Sequence, residues 1–394
     1  MRKWVIIGGG IQGTTIAVHL LEKEVATTKD ILIIDPHDHP LEKWKQMTSR
    51  ISMPFLRSPF VHHISSSPFS LDQFGKKYQN QQKVFLGRYH RPKLTFFNEH
   101  CNELINHHQL EKSWLKGSVN GLTKSPEGWH VKIDSGETIH AKHVILALGL
   151  SQQPFIPNNL IKAREQGAAV HHIFEEGLDL QKLQHPIAIV GGGITAVHTA
   201  ISLVDKYPRN VTLIKRHPFR VHSFDSDPGW LGPKNMHRFS KLTDYKQRRK
   251  SIFQARHRGS ITRELYLKIK KLERNSELTI QTMNITDISC EENKILSITD
   301  DEKGVDEKAS TIICCTGFEP SLPGGTWLKD LISRYSLPCA QCGYPIVSRS
   351  LMWADGLFVT GALAELEIGP IARNISGAQK AASIISENFL KSTS

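Results

Sequence analysis

Two short stretches of this sequence carry glycines at spacings that can hold a phosphate. Gly8, Gly10 and Gly13 follow the apolar run Trp4-Val-Ile-Ile7 and precede Ile11, Thr15, Val18 and Leu21, which recur at helical spacing. In a G-x-G-x-x-G turn between strand and helix, each glycine has its own task. The first permits the tight turn, the second lets a pyrophosphate approach the backbone, and the third allows helix and strand to pack closely, while the first N–H groups of the helix face the phosphates. The next apolar run, Ile31-Leu-Ile-Ile34, ends at Asp35, 22 residues past Gly13. A carboxylate there accepts hydrogen bonds from an adenosine ribose. Gly191, Gly193 and Ala196 repeat the pattern after Ile187-Ala-Ile-Val190, but the strand that follows, Val211-Thr-Leu-Ile214, ends in Lys215-Arg216 instead of an acid. Two cations at that place favour the 2′-phosphate of NADPH over the free hydroxyl of NADH, and a solvated basic turn is the plainer reading of the same pair.

Positioning these residues requires two βαβ units, which begin about 180 residues apart, each opening its own parallel sheet. The expected fold class is α/β, with two Rossmann-like three-layer dinucleotide-binding domains, the second inserted into the first. Residues 1–184 and 320–394 form the first domain and residues 185–319 the second. Each half continues alike, through an alternating region (Trp129-His-Val-Lys-Ile-Asp134; residues 277–300) into a buried strand that ends in glycine (His143–Gly149; Thr311–Phe318). A closing strand, Gly356–Gly361, leads to a last helix after Pro370. Residues 232–275 hold 14 Lys or Arg against three acids and read as a basic helical insertion in the second domain. No helix-turn-helix pattern marks it, so a solvated face is favoured over a nucleic-acid, membrane or acidic-partner surface. His237-Arg238 and His257–Ser260 of this insertion are placed to reach the NADPH phosphates.

With 394 residues, 39% hydrophobic and 22% charged, the chain has an ordinary globular composition. No apolar run approaches the roughly 18 residues of a bilayer span, and glycines interrupt the N-terminus where a signal peptide needs its apolar core, so a cytoplasmic protein is expected. Six scattered cysteines suit a reducing compartment rather than a disulfide framework. No metal site is expected, since Cys339-Ala-Gln-Cys342 lacks a second ligand pair at metal spacing. The net charge of +12 suits anionic small molecules as well as nucleic acid.

Two dinucleotide sites in one chain allow a nicotinamide to pass hydride to a flavin held opposite it. A first motif at the N-terminus and a second inside the chain resembles the two-dinucleotide-binding-domain flavoproteins, which hold FAD in the first and NAD(P)H in the second. Ala147-Leu-Gly149 and Cys315-Thr-Gly-Phe318 resemble that family's linker motifs, and Val359-Thr-Gly-Ala362 its second FAD motif, although Ala362 replaces the usual aspartate. The resemblance adds Gly361 to the FAD-binding set, together with Gly369, which opens a stretch leading into a helix whose N-terminus would face the reduced flavin ring.

Within that superfamily, Ile51–Pro59 and Ser66–Asp72 are similar to segments of lysine and ornithine N-hydroxylases, and Gly167-Ala-Ala-Val-His171 resembles the Gly-x-x-x-His core of a monooxygenase fingerprint. Arg57 stands where those hydroxylases place a lysine. It is the one candidate for a catalytic contact, with a structural ion pair as the competing role. For His62 and His63 loop packing is favoured, and Trp44 and Met53 suit either a flavin wall or core. Cys339 and Cys342 match neither usual location of a flavin-facing redox pair. The expected activity is an FAD-dependent NADPH oxidoreductase acting as a monooxygenase on a small molecule, with amines as the class the resemblance implies. An NADPH-dependent reductase with another acceptor, and a non-enzymatic nucleotide sensor, stay open, as does the oligomeric state.

Overall fold

Apolar runs without polar alternation are buried on both faces and so form the centres of parallel sheets. In the computed structural model, which describes residues 1–77, 84–150, 153–290 and 295–390, the strand Arg2–Ile7 pairs in parallel with Ile31–Asp35 on one side and Thr138–Leu146 on the other. Trp114–Lys116 and Leu357–Val359 extend this sheet outward, also in parallel. The expected meander is an antiparallel hairpin, Val119–Ser125 with Gly128–Ile133, running on from Thr138–Leu146. The helix Ile11–Glu22 makes the first crossover, buries Ile16, Val18 and Leu20, and packs against the last helix, Ile375–Leu390.

The second sheet repeats the arrangement around Ile187–Val190, which lies in parallel between Val211–Lys215 and Thr311–Cys314. Its crossover helix is Ile194–Val204. Corresponding strand ends meet in both sheets, Ile7 beside Leu146 in one and Val190 beside Cys314 in the other.

Three expectations change. The segment before residue 184 does not all belong with the first sheet, because Val170–His172 pairs in parallel with Thr311–Cys314 as an edge of the second sheet. Residues Leu160 and Ala163 of the helix Asn158–Glu165 share the core under that edge. The alternating stretch 277–300 splits into a parallel edge strand, Thr279–Thr282, and part of a separate three-stranded antiparallel sheet. The basic insertion is not confined to the second unit. Phe239 and Ile252, on its helices Pro233–Ser240 and Tyr245–Ala255, bury against Tyr344, Ala362 and Leu366 of the first, while Ile269 of Arg263–Arg274 packs under the second sheet. Among the described residues no helix is long and apolar enough to cross a membrane.

Candidate functional site

A cavity of about 1450 Å³ runs between the two units. At one end lie Gly8, Gly10, Asp35 and His37; farther along lie Trp44, Met53, Arg57, His62, Ile194, Thr195, Phe318 and Arg373.

The first glycine turn opens onto this cavity. Gly8 has φ +107°, and a Cβ there would sit 2.6 Å from the Ala147 carbonyl oxygen, so only glycine fits. A Cβ on Gly13 would lie 1.8 Å from the Gly8 oxygen, which accounts for the third glycine by helix–strand contact. Gly10 is different: a Cβ there would meet nothing within 4 Å, and the space it would enter is the cavity. Gly10 also caps the helix without any side-chain hydrogen bond, leaving the first amides of Ile11–Glu22 to a ligand. An open cradle beside uncapped helical N–H groups fits a pyrophosphate.

Asp35 is oriented before any ligand arrives. Its Oδ2 accepts the Gly9 N–H at 2.7 Å, and its Oδ1 accepts the His37 N–H at 2.9 Å and lies 2.7 Å from His37 Nδ1. A carboxylate with two oxygens keeps lone pairs for a ribose hydroxyl. Trp114 closes the back of the turn. A Cβ on Gly9 would fall 2.0 Å from its ring, and its Nε1 donates to the His37 carbonyl at 3.0 Å. Gly9 and Trp114 are 105 residues apart, so no local pattern announces their contact.

The second turn repeats the backbone but not the opening. Gly191 has φ +150° and faces the Cys315 oxygen, while Ala196, fully buried, fills the third position. A Cβ on Gly193 would meet the Gly259 Cα at 3.2 Å, so the insertion lies directly over this turn. In the same neighbourhood His257 stacks on His222 at 3.8 Å between centroids. The two expected cations separate. Lys215 is buried, its ammonium hydrogen-bonded to Thr282 Oγ1 and 5.1 Å from the Phe219 ring centroid, and this desolvation lowers its pKa. Arg216 is exposed.

Arg57 lines the cavity, and its Nε and Nη2 donate to protein. Nη2 donates to the carbonyls of His222 at 2.8 Å and Phe224 at 2.7 Å and to Ser260 Oγ at 2.9 Å, and Nε donates to Ser223 at 3.2 Å. Arg57 thus bonds across to the chain at 222–224 and 260. Gly361 and Gly369 are not among the residues lining the cavity. A Cβ on Gly361 would lie 3.2 Å from Gln12, and one on Gly369 would lie 3.3 Å from Met236 Sδ. The link from the closing strand to the cavity is Gln12. It accepts from Thr360 Oγ1 at 2.7 Å and donates to the carbonyls of Ala372 at 3.1 Å and Asn374 at 3.3 Å. Those bonds hold the turn before the last helix, with Ile371, Arg373 and Asn374 on the cavity wall.

Trp44, Met53 and His62 line the cavity. His63 is buried beside it, its ring bonded to the Pro68 oxygen at 3.2 Å. Burial pushes His62 down to about 4, so it is neutral at physiological pH. His171 lies on the second sheet's edge, 3.8 Å from Glu175, and is not among the residues lining the cavity. Asp225 and Asp227, which carry no sequence signal, line the cavity from the chain entering the insertion, with Asp225 3.2 Å from Arg256. No cysteine is among the lining residues.

Comparison with solved structures gives the same architecture from end to end. The FAD-bound cadaverine monooxygenase of Erwinia amylovora superposes with a TM-score of 0.76 at 15% identity, over 99% of this chain and 95% of that one. The ornithine N-hydroxylase of Kutzneria sp. 744, solved with reduced FAD, NADP⁺ and L-ornithine, superposes with a TM-score of 0.77 at 15% identity over the whole of both chains. At such identities the likeness is one of fold. A ferredoxin–NADP reductase of Sulfolobus acidocaldarius is 33% identical over 113 residues, about a quarter of this chain and a third of that enzyme. The family model of pyridine nucleotide-disulphide oxidoreductases matches residues 5–361, taking in both glycine turns and both sheets, and the chain belongs to that family.

Proposed function

We propose that the chain is an FAD-dependent NADPH oxidoreductase that hydroxylates a small amine. In this reading the first sheet, with the C-terminal strand and helix, holds FAD, and the inserted second unit holds NADPH. FAD, when bound, supplies hydride acceptance and the activation of oxygen. The protein's part is to hold, orient and enclose. The Gly8–Gly13 turn and the uncapped helix receive the pyrophosphate, Asp35 the ribose, and Trp44, Met53 and Phe318 give the cavity apolar walls that exclude water. Thr195, at the start of the second crossover helix, brings the nucleotide-facing end of the other unit to the same space.

One observation carries the reading: a single cavity joins both glycine turns' units and no cysteine is among its lining residues. That favours transfer to oxygen over transfer to a flavin-facing disulfide. Asp225 and Asp227 offer carboxylates at a distance in sequence from Asp35, which suits a cationic substrate. Arg216, as the exposed cation after Val211–Lys215, supports NADPH over NADH. The likenesses to the cadaverine and ornithine enzymes support the amine class, and the shorter match to a ferredoxin–NADP reductase supports electron delivery elsewhere.

The two are separated by incubating the FAD-loaded protein in air with NADPH and a panel of diamines and amino acids. Hydroxylated amine formed in step with NADPH consumption is the expected result. NADPH consumption that no amine accelerates, coupled instead to ferredoxin or a dye, would replace this reading with the reductase.

A further inference from the structure

Beside the cavity, reaching its wall only at Arg373, lies a cluster of charge and sulfur that the proposed reaction does not use. Glu365 is 1% exposed and is held by two guanidinium groups. Arg373 grips it with Nε at 2.7 Å and Nη2 at 3.0 Å, and Arg249, from the helix Tyr245–Ala255 of the basic insertion, bonds it through Nη1. Arg249 stands over Tyr344, its Cζ 3.9 Å from the ring centroid, which with the Glu365 bond fixes the direction of its fork. The remaining edge of that fork points at an exposed thiol: Nε and Nη2 lie 3.4 and 3.5 Å from Cys342 Sγ. Three residues earlier, half-buried Cys339 leads into the tight turn that holds Cys342, in which Gly343 N–H bonds the Ala340 carbonyl at 2.8 Å and Ala340 N–H bonds that of Tyr344 at 2.9 Å.

We propose that Cys342 and Cys339 form a peroxide-oxidisable dithiol, with Arg249 as the residue that positions and activates the Cys342 sulfur. Guanidinium N–H groups aimed at a sulfur stabilise its thiolate, which is the nucleophile in thiol chemistry. The Cys342 thiolate attacks one oxygen of hydrogen peroxide. The O–O bond breaks, hydroxide leaves and takes a proton to become water, and Cys342 is left as a sulfenic acid. The Cys339 sulfur, losing its proton, then attacks Cys342 Sγ; the S–S bond forms as the S–O bond breaks, and a second water departs. Two thiols lose two electrons and one peroxide gains them. The other described cysteines serve as internal controls. Cys101 is fully buried, and burial pushes Cys314 and Cys315 up to about 12.

The site is distinct from a flavin-facing redox pair, because neither cysteine lines the cavity. It is tied to the cavity wall through Arg373, which bonds both Glu365 and Tyr344.

The test uses the reduced, FAD-loaded full chain and hydrogen peroxide at a few equivalents, followed by intact mass and peptide mapping. Wild type is expected to lose two hydrogens and no more, with the new link between Cys339 and Cys342. Cys339→Ser should stop at a dimedone-trapped sulfenic acid on Cys342, and Arg249→Gln should slow the wild-type reaction by roughly tenfold or more. Oxidation of Cys290 ahead of Cys342, no trapped adduct in Cys339→Ser, or equal rates with and without Arg249 would each overturn the proposal. Should Arg249→Gln fold poorly with Glu365 left unpaired, the Cys339→Ser trapping result decides alone.

Discussion

The chain contains the same strand–turn–helix unit twice, and the two copies differ in what stands over the turn. Above Gly10 there is only cavity, whereas above Gly193 the backbone of Gly259 lies within contact of any added Cβ. At the third position the first copy admits no side chain, because the Gly8 oxygen is 1.8 Å from where a Cβ would be, while the second carries Ala196. Beyond the following strand, the first ends in an acid already oriented by Gly9 and His37, and the second in one buried and one exposed cation. A shared motif therefore specifies the turn and the helix start. What each turn receives is set by residues brought in from elsewhere in the chain.

The largest break in the comparison is a pair of substitutions at the third position. Gly13→Ala drives a methyl into backbone and should cost about 3 kcal/mol or more, with loss of bound flavin. Ala196→Gly, at the equivalent place, should cost less than about 1 kcal/mol. Denaturant unfolding of both proteins checks this; similar losses would show that the two helices pack alike after all.

Acid should separate the units next. Burial holds His19, His62 and His143 at about 4 and His100 at about 3 in the first unit, and His198 at about 4 in the second, all against an ordinary 6.5. Between those values the unfolded chain binds more protons than the folded one. Stability is therefore complete above pH 6.5 and falls as pH drops toward 4, by up to about 1.4 kcal/mol per pH unit for each such histidine. With four of the five in the first unit, amide exchange there should rise first between pH 6 and 4.5. Uniform exchange across both sheets would contradict the assignment.

A smaller effect distinguishes the two cations. Arg216→Ala should erode the NADPH preference by about tenfold through KM for NADPH, with NADH kinetics unchanged, because one charge-assisted bond is lost. Lys215→Met should leave the preference intact, since its ammonium is already bonded to Thr282. Steady-state reduction with both nucleotides decides, and a loss of preference in Lys215→Met would restore the pair.

The parts of this molecule legible in sequence are those whose partners are local. The two glycine turns follow from a run of about 13 residues each and fall where the pattern puts them. Arg57 and Lys215 were legible as cations but not in their direction, which depends on carbonyls at 222–224 and a hydroxyl at 282. Trp114 behind Gly9 and Asp225 on the cavity wall had no pattern to mark them. The strand Val170–His172 is too short for alternation to show, and its sheet neighbour lies about 140 residues later. The insertion's helices carry an apolar seam of Phe239 and Ile252 that packs with Tyr344, Ala362 and Leu366, which charge counting does not reveal.

The assignment of one dinucleotide to each turn is tested most directly by anaerobic titration of flavin absorbance with NADPH in Gly10→Val and Gly193→Val. Gly10→Val should fold and be colourless, because its side chain enters the open cradle. Gly193→Val should keep its flavin and lose reduction by NADPH. A yellow Gly10→Val protein that NADPH reduces at the wild-type rate would contradict the account.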